Sequence, residues 1–300
     1  MRSIGAPDLP EADPTTREPP LPVTLRAPEE PLFFSSGGLP LYGVYHAPAR
    51  PGRDAVVVHV HGLGVEQITT YRAEVLCARA LAAAGHPVFR FHARGHGDSS
   101  GDFSAVTLET MAEDAGVAAE EARRRSGARR VVWLGVRFGA LVAARALARS
   151  GPAAGLALWE PVHQGHDYFR GMLRALLFSQ VAAGVRPDRS ADQLLADVEE
   201  KGEVDVHGYY LHRAVVRSAR EAKLSDALAA WSGPTFLAQL QGRGSLAPAN
   251  ETLLGELRGR GASTKAFLQR EELGWHYTQN PAWECPPLVD ATREWLDALA

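Results

Sequence analysis

The chain has 300 residues, 45% of them hydrophobic and 22% charged, which is the make-up of a globular protein with a sizeable core. A formal charge of −3, with Lys201, Lys223 and Lys265 as the only lysines, gives no electrostatic case for nucleic acid or an anionic membrane as partner. Two cysteines, Cys77 and Cys285, are too few for a disulfide framework or a cysteine-rich zinc site.

Residues 1–30 carry seven prolines among acidic and polar residues, too little apolar surface to offset the entropy of ordering, and read as a loose arm. No apolar signal segment opens the chain, and no run approaches the roughly eighteen apolar residues of a membrane span. The expectation is a cytoplasmic protein.

From Pro31 onward, strand-like and helix-like segments alternate, which predicts an α/β fold with a doubly wound, mostly parallel sheet. PLFFSSGGLPLYGVYHAP reads as a hairpin turning at Gly37 and Gly38, and DAVVVHVHG as a third, buried strand. The helix YRAEVLCARALAAAG follows, with Cys77 at a position that suits a small buried side chain. Next come the strand HPVFRFHA, the helix LETMAEDAGVAAEEARR, the strand RRVVWLGV, the helix FGALVAARALARS and a sixth strand, GLALWEP. After Pro161 about seventy residues pass before GPTFLAQLQ resumes the sheet at Gly233, too long for a structureless loop. YFRGMLRALLFSQVAAG and HGYYLHRAVVRSAREAKL in that interval read as helical. A helical cap over residues 162–232 is therefore expected, inserted into a core formed by 31–161 and 233–300. STKAFLQ and the amphipathic helix PLVDATREWLDAL close the chain, and no internal repeat is present.

The stretch VVWLGVRFGALVAARALA, residues 131–148, has the frame of a G-x-S-x-G nucleophile elbow, a sharp turn from strand to helix. Gly135 and Gly139 fit that frame, but Arg137 stands where the serine belongs. A guanidinium stays protonated and offers only donors, so no acyl-enzyme forms at residue 137. Two readings stand for Arg137: a bidentate anchor for a carboxylate or phosphate in the crevice at the sheet's carboxyl edge, or an arginine that fills the space and pairs with a nearby acid.

HGLG at 61–64, RGHGDSSG at 94–101 and GVRFG at 135–139, in this order and spacing, resemble the α/β-hydrolase superfamily over about residues 31–300. The arginine-bearing elbow and LWEPV are similar to the bacterial exosortase A system-associated hydrolases. The resemblance implies an α/β-hydrolase-type sheet with a cap after the sixth strand. It also implies an oxyanion pocket built from the backbone N–H groups of Leu63, beside Gly62 in the HGLG loop, and of Phe138 at the following helix. The superfamily's acid usually follows the seventh strand, where this chain has Ser245 in QGRGSLAP. Glu160, ending the sixth strand, stands where some members supply the acid instead, and otherwise reads as a carboxylate that docks the cap. The superfamily histidine corresponds to His276 in LGWHYTQN, which reads either as an acid–base group or as a relic packed beside Trp275.

His59 and His61 share one side of a strand, with His92 and His96 in the next loop, but no HExxH-like spacing accompanies them, and no metal is expected. Gly62, Gly64, Gly95 and Gly97 read as tight-turn residues. His163 and His166, opening the cap, read as crevice-lining or as surface histidines. The first functional expectation is an enzyme acting on a small acyl, ester or acidic substrate without a serine nucleophile or cofactor. In it His276 and Glu160 move a proton, Arg137 fixes an anionic group and water attacks. The alternative is an inactive relative that binds a ligand or a partner within a biosynthetic or export cluster.

Overall fold

The computed structural model describes residues 28–50, 53–241, 244–270 and 283–299. The expected N-terminal arm lies almost wholly outside them, and the first strand starts at Glu29. The core elements run β1 (Glu29–Ser36), β2 (Leu39–His46), β3 (Ala55–Val60), α1 (Val65–Ala83), β4 (Val88–Phe91), α2 (Leu108–Ser126), β5 (Arg130–Val136), α3 (Gly139–Leu147) and β6 (Ala153–Trp159). An insertion follows, with α4 (Gly165–Ala182), α5 (Ala191–Lys201), β7 (Glu203–Val206), β8 (Tyr209–His212), α6 (Arg213–Ala219) and α7 (Leu224–Ala227). The core resumes with β9 (Thr235–Gln239), α8 (Pro248–Gly259), β10 (Thr264–Leu268) and α9 (Pro286–Asp297).

The eight core strands form one sheet in the order β1-β2-β4-β3-β5-β6-β9-β10. β1 pairs with β2 and β2 with β4 antiparallel, and every other neighbouring pair is parallel. The strands are β-branched and apolar because both faces are covered. On one face Val57, Val132, Leu134 and Phe236 pack against α1 and α9. On the other, Val56, Val58, Val131 and Trp133 pack under α2, α3 and the insertion. α2 begins at a reciprocal capping box between Thr107 and Thr110 and ends at Gly127 in the left-handed conformation. Its buried side presents Ala112, Ala115, Ala119 and Ala122, whose small size lets α3 approach closely. Cys77 and Cys285 are both buried. Burial raises the Cys77 thiol far above its ordinary pKa, which keeps it unreactive.

The insertion differs from an all-helical one. YYLH, expected as the start of a helix, pairs antiparallel with Glu203–Val206, and helix resumes only at Arg213. β-Branched and aromatic residues at 204, 206, 209 and 210 favour the extended form, and the tertiary pairing outweighs the helical spacing that continues beyond it. α8 was not anticipated either. Pro248 at its first turn and Leu253, Leu254 and Leu257 on its buried side are the signals that define it. Among the described residues, no helix is long and apolar enough to cross a membrane.

Candidate functional site

β5 delivers Arg137 at the carboxyl edge of the sheet, and α3 leaves immediately after it. The turn is tight enough that a Cβ on Gly139 would lie 2.3 Å from the Val60 carbonyl oxygen, so only glycine fits there. Arg137 has φ 53, a left-handed conformation rare for a side chain with a Cβ. Its N–H donates to the Trp159 carbonyl at 2.9 Å and its carbonyl accepts from Ala140 and Val162, which over-determine the turn.

The Arg137 side chain is 13% exposed, and Nε donates to Oε1 of Glu66 at 3.0 Å. Glu66 lies in the first turn of α1, just after the HGLG loop, with its side chain 1% exposed. The Tyr168 hydroxyl and the Leu63 backbone N–H also lie on the Glu66 carboxylate's side of the turn and favour its charged form. Burial raises the Glu66 pKa, against the opposing pull of Arg137, Tyr168 and Leu63. Tyr168 from α4 closes the group, its ring 5.9 Å from the guanidinium carbon and its own pKa pushed well up by burial and by Glu66. Gly62 does not take a positive φ, unlike Gly64, Gly95 and Gly97. It is required by close approach instead, because a Cβ there would meet the Glu66 Cβ at 2.9 Å and Oε2 at 3.1 Å.

Sequence reasoning missed Glu66. An acid in the first turn of a helix is explained by the helix dipole alone, and only the need of a nearly buried arginine for a counter-charge points to it.

Glu160 follows β6 with φ 44, and its carbonyl oxygen lies 3.5 Å from Arg137 Nη1. Its carboxylate accepts the backbone N–H groups of Leu240 and Gln241, the latter at 3.2 Å, which ties the end of β6 to the loop after β9. Burial raises its pKa, while Leu240 and Arg137 oppose the shift. Gly62, Leu63, Arg137, Phe138 and Glu160 are thus brought together around one turn. The Phe138 ring is fully buried, 5.3 Å from Tyr168 and 5.9 Å from Phe169. Ser245 is exposed, and its carbonyl accepts from Gln239 at 3.0 Å. His276 lies outside the described residues.

Beside the turn is a cavity of about 500 Å³ whose walls include Arg137, His163, Asp167, Lys223 and Glu256. His163 Nε2 donates to Asn250 Oδ1 at 2.7 Å, and Asn250 donates in turn to Gln239 at 2.8 Å. Burial lowers the His163 pKa, so its ring is neutral with the proton on Nε2.

A second group of polar side chains lies behind the HGLG loop. Glu74 of α1 takes His61 Nδ1 at 3.2 Å, Thr70 Oγ1 at 2.5 Å and, further off, His59 at 3.7 Å. Burial alone would raise Glu74, but His59, His61 and Thr70 together hold it down to about 2. Among the described residues, no three potential ligands converge as a metal site requires.

The eight-stranded sheet, its crossovers and the strand-edge site define an α/β-hydrolase fold. Residues 51–238 match the model of the serine aminopeptidase S33 hydrolase family, and the chain belongs to that family. No curated protein matches the sequence. Among solved structures, the chain is similar to the esterase Pf2001 of Pyrococcus furiosus, with 14% identity and TM-score 0.64 over 93% of this chain and 94% of that one. It is likewise similar to Est1E from Butyrivibrio proteoclasticus, a structure with ferulic acid bound, with 16% identity and TM-score 0.63 over 89% and 98%. A hydrolase from Agrobacterium vitis S4 aligns at 18% identity and TM-score 0.58 over 91% and 99%.

Proposed function

We propose that this member of the hydrolase family binds a small polar ligand in the cavity beside Arg137 and performs no acyl transfer at its elbow. The observation that carries this reading is the contact of Arg137 with Glu66. A nucleophile elbow needs a reactive side chain beside an empty set of donors, aimed where an oxyanion develops. Here the side chain is a protonated guanidinium, and the chain's own Glu66 carboxylate sits against it at 3.0 Å, beside the Leu63 N–H expected as a donor. Glu66 takes the place of a bound anion. Arg137 is then a structural partner of that internal anion, and the adjoining walls, with His163, Asp167, Lys223 and Glu256, offer both signs of charge to an uncharged or zwitterionic polar ligand. A fluorophosphonate probe followed by intact-mass measurement tests the reading. The expected result is no adduct and no p-nitrophenyl acetate hydrolysis above the buffer rate, whereas stoichiometric labelling of any serine overturns it.

A second reading keeps catalysis with water as nucleophile, Arg137 anchoring an anionic group, and Glu160 with His276 moving the proton. The direction of the Glu160 shift favours it, since burial raises the pKa of this carboxyl, the direction in which a general acid is tuned. Turnover of a small ester by the wild type, abolished in both Glu160→Gln and His276→Ala, would favour this reading over ligand binding alone.

A further inference from the structure

The cavity beside Arg137 is not the largest described at this end of the sheet. A cleft of about 690 Å³ opens on the opposite side of the loop, within the range of about 300–1,000 Å³ typical of small-molecule sites. Three elements wall it: one face of α1, where Gln67, Ile68, Tyr71 and Arg72 follow at helical spacing, the RGHG loop after β4, and the β7–β8 hairpin. Seven of its fourteen lining residues carry rings: Tyr71, His92, His96, Phe103, Tyr209, Tyr210 and His212. The rings form connected groups rather than a scatter. His92 lies 6.4 Å from Tyr71, and Phe103 meets His96 at 4.8 Å and His212 at 5.4 Å, edge to face.

The histidines behave as aromatic walls. Burial, reinforced by the neighbouring His61 and Arg90, pushes His92 down to about 3, and burial holds His96 at about 4, so both rings are neutral at physiological pH. The Asp98 N–H donates to His92 Nδ1 at 3.2 Å, which leaves the proton on Nε2. The loop is pressed against that ring: a Cβ on Gly97 would lie 2.3 Å from Nδ1, so the tautomer and orientation of His92 are set by the backbone. Nε2–H has no hydrogen-bond partner among the described residues and is the donor left for an occupant.

The remaining polar groups narrow the ligand class. Arg72 pairs with Glu284, His212 with Glu203 at 3.0 Å, and His96 Nδ1 donates to the Arg94 carbonyl at 3.0 Å. The polar groups left for an occupant are Gln67, His92 Nε2–H and the hydroxyls of Tyr71, Tyr209 and Tyr210, few beside seven ring faces, so a flat ring suits the walls better than a polyhydroxylated ligand. A cationic ligand would meet the Arg72 guanidinium in the wall, and Arg90 already lies 5.5 Å over the Tyr71 ring. Meanwhile Tyr71, Tyr209 and Tyr210 line the cleft and stand 39%, 39% and 48% exposed, large ring surfaces still open to solvent.

We propose that this cleft binds a planar aromatic or heteroaromatic ring, held between Tyr71 and the hairpin tyrosines, with one acceptor atom of the ligand on His92 Nε2–H. The site is independent of the chemistry at Arg137. The probe is 7-hydroxycoumarin, followed by fluorescence anisotropy, because it is planar and carries a carbonyl acceptor. Saturable binding is expected, weakened about two- to ten-fold in each of Tyr209→Ala and Tyr210→Ala, and unchanged in Lys223→Ala, an exposed residue on the wall of the other cavity. Both tyrosines are half exposed at the hairpin, so these variants keep the fold, which thermal melting verifies. The acceptor is tested on the wild type with 2-naphthol, a ring of similar size without the carbonyl, which binds more weakly. Absence of saturable binding, wild-type affinity in both tyrosine variants, equal affinity for 2-naphthol, loss of binding in Lys223→Ala, or displacement of the coumarin by tetramethylammonium or methyl glucoside each overturns the assignment.

Discussion

The HGLG loop separates two polar regions that solve the problem of burial in opposite ways. On the side of β5 and β6, formal charges are kept and paired internally: Arg137 with Glu66, and Glu160 with two backbone N–H groups. On the side of β4 the imidazoles at 92 and 96 are stripped of charge, and ring faces take over. The lesson is that the loop's motif residues do not define one site. The same glycine-rich turn, HGLG, positions an internal ion pair in one direction and an aromatic cleft in the other, and each region responds to a different perturbation.

Acid is the largest of these. His46, His59, His92 and His96 are held by burial at about 4, 3, 3 and 4, against an ordinary 6.5. Below pH 6.5 the unfolded chain binds protons that the folded one refuses, so stability is complete above that pH and falls as pH drops towards 4. Each histidine contributes a slope of up to about 1.4 kcal/mol per pH unit. Glu66 and Glu160 act with the opposite sign: their raised folded pKa values favour the fold at low pH, and that contribution is lost as pH rises through them. Urea unfolding at pH 7.5, 6 and 5 is expected to show the histidine term dominating, with a steep loss toward pH 5. A flat profile would mean that the two regions balance.

Breaking the ion pair comes second. Glu66→Ala leaves a nearly buried guanidinium without its carboxylate and is expected to cost about 3–5 kcal/mol. Glu66→Leu combined with Arg137→Leu removes both charges and is expected to recover most of that loss. Acetate is a further check, since a free carboxylate that re-enters the pocket raises the melting temperature of Glu66→Ala in a saturable way and leaves the wild type unmoved. Equal losses in the single and double variants would show that the pair contributes through packing rather than charge.

Much of this frame was legible in the chain, because period-2 and period-3.6 apolar patterns separate cleanly where both faces of a sheet are covered. β3, β5 and β6, together with α2 and α3, were readable for that reason, and so was the turn at Arg137, which Gly135 and Gly139 mark. Glu66 was not. A buried arginine demands a counter-charge, but with 35 acidic residues the sequence does not say which one supplies it. The hairpin that raises Tyr209 and Tyr210 was hidden by the helical spacing that continues into α6, and a four-residue strand carries too few residues to show alternation. His276 keeps its sequence-based reading alone.

A smaller loss is expected at the joint between insertion and sheet. Asn250 links His163 to Gln239, all three largely removed from water. Asn250→Ala strands the His163 Nε2–H, while Gln239 Oε1 keeps the Ala247 N–H, at a cost of about 1–3 kcal/mol by urea unfolding. The cleft on the other side of the loop is insulated from this change, so coumarin affinity is expected to stay within two-fold of wild type.

The smallest effect belongs to Glu160→Gln, and it decides between the two functional readings. If Glu160 serves to tie β6 to the loop after β9, the glutamine carbonyl accepts the same Leu240 and Gln241 N–H groups. Removing a carboxylate already disfavoured by burial then offsets the weaker hydrogen bonds. The stability change is expected to stay below about 1 kcal/mol. The opposing slope at low pH should flatten with it, because one of the two carboxyls that favour the acidic fold has gone. Where Glu160 instead moves a proton, an amide cannot replace it, and any turnover measured for the wild type disappears while stability stays the same. A variant that is as stable as wild type, has the flattened acid profile and shows no lost activity identifies Glu160 as a tie in the scaffold. Loss of turnover in a stable variant returns it to chemistry.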